Sequence, residues 1–497
     1  MTMPFWYSIP FLCIFCVMVG AILLSVISSP RISWHISFWS AVVTALASAV
    51  FLLLVLRADT AFSYTMGKFP APFGNEIRGG PLQALMSLVF STVMATSILG
   101  GRRDFFADVD NKKIGLACVM LNMVLASLLV LTYTNDAFTA YVFIEISTIA
   151  ACALVMIKDS GRTMLATIRY LFMSLMGSGL FLLSLILLYG ITGHLLMPQL
   201  AEAIQLLAPS GDYRLALVTS AALMTAGVGI KSAMFPFHRW LPDAHGSATT
   251  TASAVLSGLV LKGYAVLLVL FYVRVFSLEF IRSCNIHTLV FALGFIGMII
   301  GSVRAMREDN IKRMLAYSSV AQLGYVFMGF GLGTTAGIAA ACFQILSHAV
   351  TKPLLFMSAG RLSSVRHHSK KFQDLRGSAW QSPPAGICYT IGALSMIGIP
   401  LLGGFAAKMN FAIASVSESV NTGLTLFVLA LSSILNALYY IPSVIALWST
   451  QGGKRPVRED KDHSYNMAAI LSVFAIFVMG IYYEPVMNII LRGLELL

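Results

Sequence analysis

Charged residues are scarce in this sequence. Only 11% of its 497 residues are charged and 58% are hydrophobic, whereas a soluble domain carries about 25% charged residues. This composition excludes an ordinary soluble protein. Acidic residues are the scarcest charged class, at 21 against 33 lysines and arginines. The basic residues lie in short loops between apolar segments rather than along one face, so the net charge of +12 indicates orientation in a membrane and not nucleic-acid binding.

Cysteines are also few, and they are scattered. Of the seven, only Cys13 and Cys16 have a motif-like spacing. Two small polarizable residues inside an apolar segment indicate packing rather than a metal or redox pair, so we predict no metal and no cofactor. The segment 5–28 lacks a basic leading region and a small-residue cleavage site, and we predict a mature helix there rather than a signal peptide.

Apolar segments long enough to cross a bilayer recur along the whole chain, with no soluble insertion between them. The pattern predicts an all-α polytopic membrane protein with about fourteen spans. They are predicted at 5–28, 34–56, 82–100, 114–132, 136–157, 165–190, 214–236, 250–273, 286–303, 311–332, 335–360, 383–416, 420–448 and 466–490. We expect neither a long C-terminal helix nor a soluble catalytic domain.

The loops alternate in charge. Basic clusters occupy 102–113, 304–313, 361–376 and 454–461, which share one side by parity, while most opposite loops are poor in basic residues. Because basic loops stay in the cytoplasm, we predict that these four are cytoplasmic and that both termini lie outside the cell membrane. The loop that carries Arg274 and Arg282 does not fit this rule.

The stretch from the seventh to the eighth span combines charges with helix breakers. Lys231 and Lys262 fall within apolar segments, Pro236 and Pro242 interrupt the first, and 246–257 is small and polar. A lysine at the centre of a span costs about 2.5–3.5 kcal/mol on insertion scales, so both lysines need a partner or a polar cavity. Broken backbone is tolerated at this depth only against protein or water. We therefore predict a buried hydrophilic site, with spans seven and eight broken.

Glu145 lies near the middle of the fifth span, and Lys231 is its predicted partner. Burial destabilises an isolated ammonium and an opposing charge stabilises it, so separating the pair would release the lysine proton. This predicts a proton switch that needs no cofactor. The alternative is a static ion pair that holds two helices together.

Two further spans carry similar features. In the eleventh, His348 and Lys352 stand four residues apart on one helix face, and Pro353 predicts a break. In the twelfth, Lys408 follows a break predicted around Pro400. Histidine titrates near neutrality and suits a proton relay, although a lone histidine can also bond a neighbouring helix.

The chain is predicted to contain an internal repeat. Lys231 and Lys408 are 177 residues apart, and the starts of the fourth and ninth spans, at 114 and 286, are 172 apart. An odd number of helices per copy makes the two copies inverted, as in many transporters. The predicted units are 1–113 (spans one to three), 114–273 and 286–448 (the two inverted five-helix repeats) and 466–497 (the last span).

Six segments carry a resemblance to a known family. They are YVFIEIST at 141–148, KSAMFPFHRWLPDAH at 231–245, SGLVLKGYA at 257–265, DNIKRMLAYSSVAQLGYVFMG at 309–329, LSHAVTKPLLFMSAG at 346–360 and GIPLLGGFAAK at 398–408. The chain resembles the antiporter-like, proton-conducting subunits of respiratory complex I, Mrp-type antiporters and energy-converting hydrogenases, and the D-type subunit of Mrp antiporters most of all.

The resemblance implies a hydrated charge axis for proton translocation. Its members would be Glu145, Lys231, Lys262, His348 and Lys408. Weaker candidates are Lys352, His238 and His245. It also implies partner membrane subunits, no chemistry of the chain's own, and membership of an antiporter or of a redox-driven complex, with sodium transport left open. The sequence departs from the family in having Ala248-Thr249 where alanine-proline is common, and Arg78 where an acidic residue is common.

Three other functions are alternatives to this one. A stand-alone transporter of an organic substrate needs aromatic or amide groups shaped around a ligand, but the spans carry titratable groups and serines. A membrane enzyme such as a lipid-linked transferase needs acidic or histidine clusters in interfacial loops, for which only Asp243 and His245 qualify. A non-transporting scaffold would tolerate neutral residues at 145 and 231.

Overall fold

Helices make up nearly the whole of the computed structural model, which describes residues 5–69, 74–417, 421–449 and 462–497. Two short strands, β1 (Phe62–Thr65) and β2 (Glu76–Gly79), form an antiparallel hairpin in which Phe62 pairs with Gly79. The predicted all-α membrane class is confirmed, and the hairpin is a small addition to it. Part of the predicted loops at 67–74 and 415–423, and the basic loop 454–461, lie outside the described residues.

The α-helices are numbered in chain order. They are α1 (Ile9–Val26), α2 (Pro30–Ala58), α3 (Pro81–Gly100), α4 (Arg102–Asp108), α5 (Asn111–Tyr133), α6 (Ala137–Met156), α7 (Gly161–Thr192), α8 (Met197–Leu207), α9 (Arg214–Lys231), α10 (Trp240–Ser247), α11 (Thr250–Val255), α12 (Leu261–Leu270), α13 (Leu278–Ser283), α14 (Ile286–Met306), α15 (Ile311–Gly331), α16 (Thr335–Ser364), α17 (Ser378–Gln381), α18 (Pro383–Ile397), α19 (Gly403–Ser417), α20 (Thr422–Trp448), α21 (His463–Ile481) and α22 (Tyr483–Glu495).

Twelve helices of the described residues are long and apolar enough to cross a membrane. The other two predicted spans, 311–332 and 383–416, correspond to α15 and to the pair α18 and α19. The count of fourteen therefore stays a prediction. The break in the twelfth span is confirmed, because α18 ends at Ile397 and α19 begins at Gly403. The seventh is also broken: α9 ends at Lys231, five residues before the predicted end at 236.

The predicted break in the eleventh span is wrong. Helix α16 runs without interruption from Thr335 to Ser364, with Pro353 inside it. Proline removes one hydrogen bond and crowds the preceding turn, but every residue of α16 from Gly337 to Ser363 is buried. Packing on all sides therefore holds the two halves of α16 in line.

The predicted break within the eighth span is also wrong. Helices α11 and α12 are joined by the π-helical turn Leu256–Val260, so the span is continuous from Thr250 to Val275. The interruption lies just before it, where Ala248 and Thr249 adopt extended backbone. The chain thus widens into a π-helical turn here instead of ending the helix, and such turns often occur at functional sites.

The last predicted span is shorter than expected. Helix α21 ends at Ile481, and α22 then begins as a separate helix with Pro485 in its first turn, where proline is tolerated because the N–H groups there have no partner within the helix. Arg492 of α22 contacts Asp59 at 2.7 Å, and the carbonyl of Leu496 accepts a hydrogen bond from Arg78. The chain end is thereby held against the β hairpin.

Two stretches lie wholly inside the bundle. The most apolar windows of 250–275 and of α16 are completely buried, whereas those of α2, α7 and α20 are 39% buried and expose many large apolar side chains. Charged residues on the two inner stretches therefore face protein rather than lipid. These are the helices that carry Lys262, His348 and Lys352.

Loops that share parity in the sequence meet in the structure. At one end, which we name the basic end, Ile311 donates its backbone N–H to the carbonyl of Lys370 at 2.9 Å, and Lys158 lies 2.8 Å from Asp108. At the other end, the backbone of Asn135 bonds that of Glu76 at 3.0 Å. The grouping of the loops agrees with the predicted parity.

Candidate functional site

Lys231 is placed by the end of a helix. It is the last residue of α9, where unpaired carbonyls favour a cation. A close crossing of α7 and α9 buries its stem: a Cβ on Gly177 would lie 2.8 Å from the carbonyl oxygen of Gly227 and 3.1 Å from Cγ of Lys231. Glycine is therefore required for the helices to approach so closely. Only 1% of the lysine side chain is exposed.

The structure brings Lys231 and Glu145 together. The ammonium lies 3.6 Å from Oε1 of Glu145 and donates a hydrogen bond of 2.7 Å to the hydroxyl of Thr148. Oε1 itself has no hydrogen-bond partner among the described residues. The ring centroid of Tyr264 is 5.6 Å from the ammonium. The pair is thus attracted without a direct hydrogen bond.

Lys262 lies on α12, fully buried. Its ammonium donates to the carbonyl of Ser257, which belongs to the π-helical turn. The hydroxyl of Ser257 lies 2.8 Å from that of Ser319 on α15. Lys262 is therefore bound by a neutral oxygen, and a serine pair leads from it toward the second half of the molecule.

His348 and His245 are both fully buried. Neither ring nitrogen of either residue has a hydrogen-bond partner in the described chain. The ring of His245 stacks on Phe356 with centroids 4.7 Å apart. Lys262 and Lys352 act electrostatically on both histidines. Buried polar atoms are rarely left unpaired in proteins, so such atoms mark places for ordered water.

Lys352 begins a connected polar chain. Its ammonium donates to the carbonyl of Leu315 at 2.8 Å and to the hydroxyl of Tyr440 at 3.2 Å. Tyr440 lies 2.8 Å from the hydroxyl of Ser318, which accepts a hydrogen bond of 3.0 Å from Tyr439. Tyr439 in turn also reaches Asn436 on α20, at 2.7 Å. The chain begins on α16 and continues between α20, which carries both tyrosines and Asn436, and α15, which carries Ser318.

Lys408 is held by the break in the twelfth span. Its ammonium donates to the carbonyl of Ile397, the last residue of α18, at 2.6 Å, and to the hydroxyl of Ser433 at 2.8 Å. Gly398 has φ +97°, and a Cβ there would lie 3.0 Å from Cδ of Lys408. The glycine thus permits both the turn and the approach of the lysine.

His238 does not join this group. It lies in the turn before α10 with 6% of its surface exposed, and its electrostatic neighbours are Arg239 and Arg304. Of the predicted site residues, the structure therefore pairs Glu145 with Lys231, and places His245 and His348 within the field of Lys262 and Lys352.

Sequence reasoning missed the polar residues that link these groups. Thr148, Tyr264, Ser318, Tyr440 and Asn436 are uncharged, and nothing in the sequence separates the last three from other polar residues of the spans. Cues did exist for Thr148, which stands three residues after Glu145, and for Tyr264, two after Lys262.

A charged cavity of about 530 Å³ at the basic end was also missed. Lys312 donates to Thr250 at 3.3 Å, and Thr250 donates to Asp104 at 3.0 Å. Burial raises the pKa of the Asp104 carboxyl, while the charge of Lys312 opposes the rise. Burial and the charge of Lys158 lower the pKa of Lys370 to about 8. In the described chain, no three or more His, Cys, Asp or Glu residues come together as a group that could hold a metal ion.

A family profile covers most of this site. The profile described as "NADH:quinone oxidoreductase/Mrp antiporter, TM" matches residues 134–434. The chain belongs to this family. The matched region contains Glu145, the two central stretches and Lys408, so the predicted resemblance is confirmed.

Two members of the NADH:quinone oxidoreductase/Mrp antiporter family are similar to this chain over most of its length. NADH-quinone oxidoreductase subunit N of Desulforudis audaxviator is 30% identical, with 91% of each chain covered. The relative described as "Putative antiporter subunit mnhD2" of Staphylococcus aureus is 27% identical, over 87% of this chain and 84% of the relative.

Two solved structures share the fold of this family member. A chain of the archaeal membrane-bound sulfane sulfur reductase complex superposes with a TM-score of 0.86 at 23% identity, covering 98% of this chain and 97% of that one. A chain of the Mrp complex of Dietzia sp. superposes with a TM-score of 0.85 at 20% identity, covering 99% and 97%.

Proposed function

We propose that this chain is the proton-translocating membrane subunit of a multisubunit complex, either a cation/proton antiporter or a redox-driven ion pump. The observation that carries the proposal is the row of four lysines inside the membrane bundle, of which Lys231, Lys262 and Lys352 are fully buried and Lys408 is half-buried. Among the described residues, Glu145 supplies the only carboxylate that contacts these lysines, and their other partners are hydroxyl and carbonyl oxygens. Ionisable groups at this depth are costly and mark proton or ion pathways.

The route proposed for the proton runs along the membrane plane. It passes from the Glu145–Lys231 pair to Lys262, then by way of His348 to Lys352 and Lys408, with His245 as a further member. The unpaired ring nitrogens of both histidines support hydration between the lysines. The cavity at the basic end, which holds Asp104 and Lys312, gives the proton access to this route.

The repeat organisation belongs to the same proposal. The units are 114–273 and 286–448 as inverted copies, flanked by 1–113 and 466–497. In each copy a helix ends where an ammonium is bound: α9 ends at Lys231, and α18 ends at Ile397, whose carbonyl binds Lys408. Each break therefore places a lysine at or against the end of a helix inside the bundle.

Transport by the reconstituted complex tests the proposal. Proteoliposomes that contain the complex should form a pH gradient when supplied with either a sodium gradient or the electron donor of the complex. The same complex assembled without this chain should not. Gradient formation that is unaffected by removal of the chain would refute the proposal, and repeating the assay without sodium distinguishes antiport from proton pumping alone.

We further propose that the protein lies in the cell membrane with its basic end in the cytoplasm and both termini outside. A cysteine at Gln373, exposed at the basic end, should resist impermeant maleimide in sealed cells, and one at Asp212, exposed at the other end, should react. Both variants are made with Cys284 replaced by serine, because Cys284 is partly exposed and is the one native thiol in the loops that the structure describes. The reverse labelling pattern would invert the topology.

A further inference from the structure

A second cavity lies outside the lysine row, in the crevice between α7 and α14. Its volume is about 1180 Å³, above the range of about 300–1,000 Å³ that small ligands usually occupy. We name it the arginine crevice. Its lining includes four arginines, which are Arg169, Arg239, Arg304 and Arg313.

Two of the arginines are already neutralised. Arg169 and Arg313 contact the same carboxylate, Asp243, at 2.5 and 2.7 Å, and Arg313 also contacts the carboxylate of Glu308 at 3.1 Å. The guanidinium groups of Arg239 and Arg304 form no ion pair and no hydrogen bond within the described residues. The crevice therefore has an excess of positive charge that the described chain itself does not balance.

Buried donors and acceptors at the same place are also unpaired. His238 and Trp240 line the crevice with 6% and 2% of their surface exposed. Nδ1 of His238 and Nε1 of Trp240 have no partner among the described residues. A polar occupant that both donates and accepts hydrogen bonds would satisfy these atoms.

The lining changes from charged to apolar along both helices. On α7, Phe172 and Met173 follow Arg169 by three and four residues; on α14, Ile300 precedes Arg304 by four. Residues at these spacings share a helix face. Because α7 starts and α14 ends at the basic end, both helices place the arginine toward that end and the apolar side chains one turn deeper. Phe172 is 67% exposed, so the crevice is continuous with the lipid-facing surface.

We propose that the arginine crevice is a binding site for an anionic glycerophospholipid. The phosphate would lie between Arg239 and Arg304, within reach of His238, and an acyl chain would run along Phe172, Met173 and Ile300. Basic pockets between spanning helices on the cytoplasmic side suit such headgroups. An occupant with an anionic head and an apolar tail fits both parts of the lining, whereas a free phosphate fits only one.

Photolabelling of the complex in proteoliposomes tests this assignment. Phosphatidylglycerol with a diazirine in its acyl chain should label the peptides that carry Phe172 and Ile300 more than the matched phosphatidylcholine does, and unlabelled phosphatidylglycerol should compete. In the double variant Arg239→Gln/Arg304→Gln, the affinity for unlabelled phosphatidylglycerol, measured by competition, should fall about 30-fold. This factor corresponds to about 1 kcal/mol for each basic residue near an anionic surface. Arg307 is an exposed arginine at the same end that does not line the crevice, so Arg307→Gln should leave this affinity unchanged.

A second pair of variants tests the apolar part without changing charge. Ile300→Trp should reduce the headgroup-selective labelling by filling the crevice, and Ile296→Trp, one turn deeper on α14 and outside the lining, should not. Equal labelling by the two lipids, or an unchanged affinity in the double arginine variant, would overturn the assignment. Displacement of the lipid by millimolar inorganic phosphate or glycerol phosphate would also overturn it, because the site would then bind a free anion.

Discussion

Lys231, the first lysine of the row, holds its ammonium group differently from the two lysines of the second half. In the first half, Lys231 faces a carboxylate, that of Glu145, at 3.6 Å. In the second half, Lys352 and Lys408 are bound only by carbonyl and hydroxyl oxygens of the described chain, at 2.6 to 3.2 Å. A carboxylate stabilises the charged form of a lysine far more than a neutral acceptor does. On the proposed route, Lys231 is therefore expected to hold its proton more firmly than Lys352 and Lys408 hold theirs.

The largest expected effect comes from removing the one carboxylate pair. Glu145→Gln and Lys231→Ala should each lower coupled transport by about 100-fold or more, the scale of a lost proton-transfer group. Lys231→Arg should fail as well, because arginine keeps the charge but does not release a proton. Transport in sealed vesicles is the measurement, and Glu202→Gln, an exposed acid on α8, is the control. Near-normal coupling in Lys231→Arg would mean that the pair is a static link between helices.

In the second half we expect a smaller loss of transport. Two variants separate the contribution of the lysine from that of one of its hydrogen-bond partners. Lys408→Ala should slow transport about tenfold or more, since hydrogen bonds of a charged group contribute about 1.5–3 kcal/mol. Ser433→Ala should cost less, because the carbonyl of Ile397 still binds the ammonium. The two variants are compared by initial rates of proton uptake. If Ser433→Ala were as slow as Lys408→Ala, the helix end would not be what binds the lysine.

His348→Ala should slow transport several-fold without preventing assembly. The ring makes no hydrogen bond within the described residues, so its loss removes a group that can accept and donate a proton but breaks no bond seen in the structure. The rate is measured across pH 6 to 8, alongside the thermal midpoint in detergent. Normal transport by the assembled variant at every pH would remove His348 from the route.

The smallest expected effect is on folding stability. It concerns a lysine outside the spans that donates to a neutral carbonyl oxygen, as Lys352 and Lys408 do. Lys370 donates to the carbonyl of Gly246 at 2.7 Å, and burial lowers its pKa to about 8, from about 10.4 in an unfolded chain. Between these values the unfolded chain binds more protons, so folding stability rises with pH. Lys370→Gln should flatten this rise in thermal unfolding between pH 8 and 10.4, and exposed Lys371→Gln should not. If folding stability rose equally with pH in both variants, the rise would be due to groups other than Lys370.

The charged members of the site could be found from the sequence, because a charge within an apolar span has few explanations. The link from Lys352 through Tyr440 and Ser318 to Asn436 could not, since which hydroxyls meet depends on how α15, α16 and α20 pack. The same reason explains the errors in helix continuity. Pro353 predicted a break that complete burial of α16 prevents, and 256–260 gave no sign of a π-helical turn.

The contact between Arg78 and Leu496 has a consequence for the time course of biosynthesis. The two residues are 418 positions apart. At about 5–20 residues per second, a ribosome needs roughly 20 to 80 seconds to synthesise the intervening chain. During that interval the carbonyl that Arg78 binds and the guanidinium that Asp59 binds have not yet been synthesised. The hairpin formed early in synthesis therefore gains this contact only from residues made 418 positions later, so that a chain truncated before α22 would enter the membrane without one of the contacts of its first hairpin.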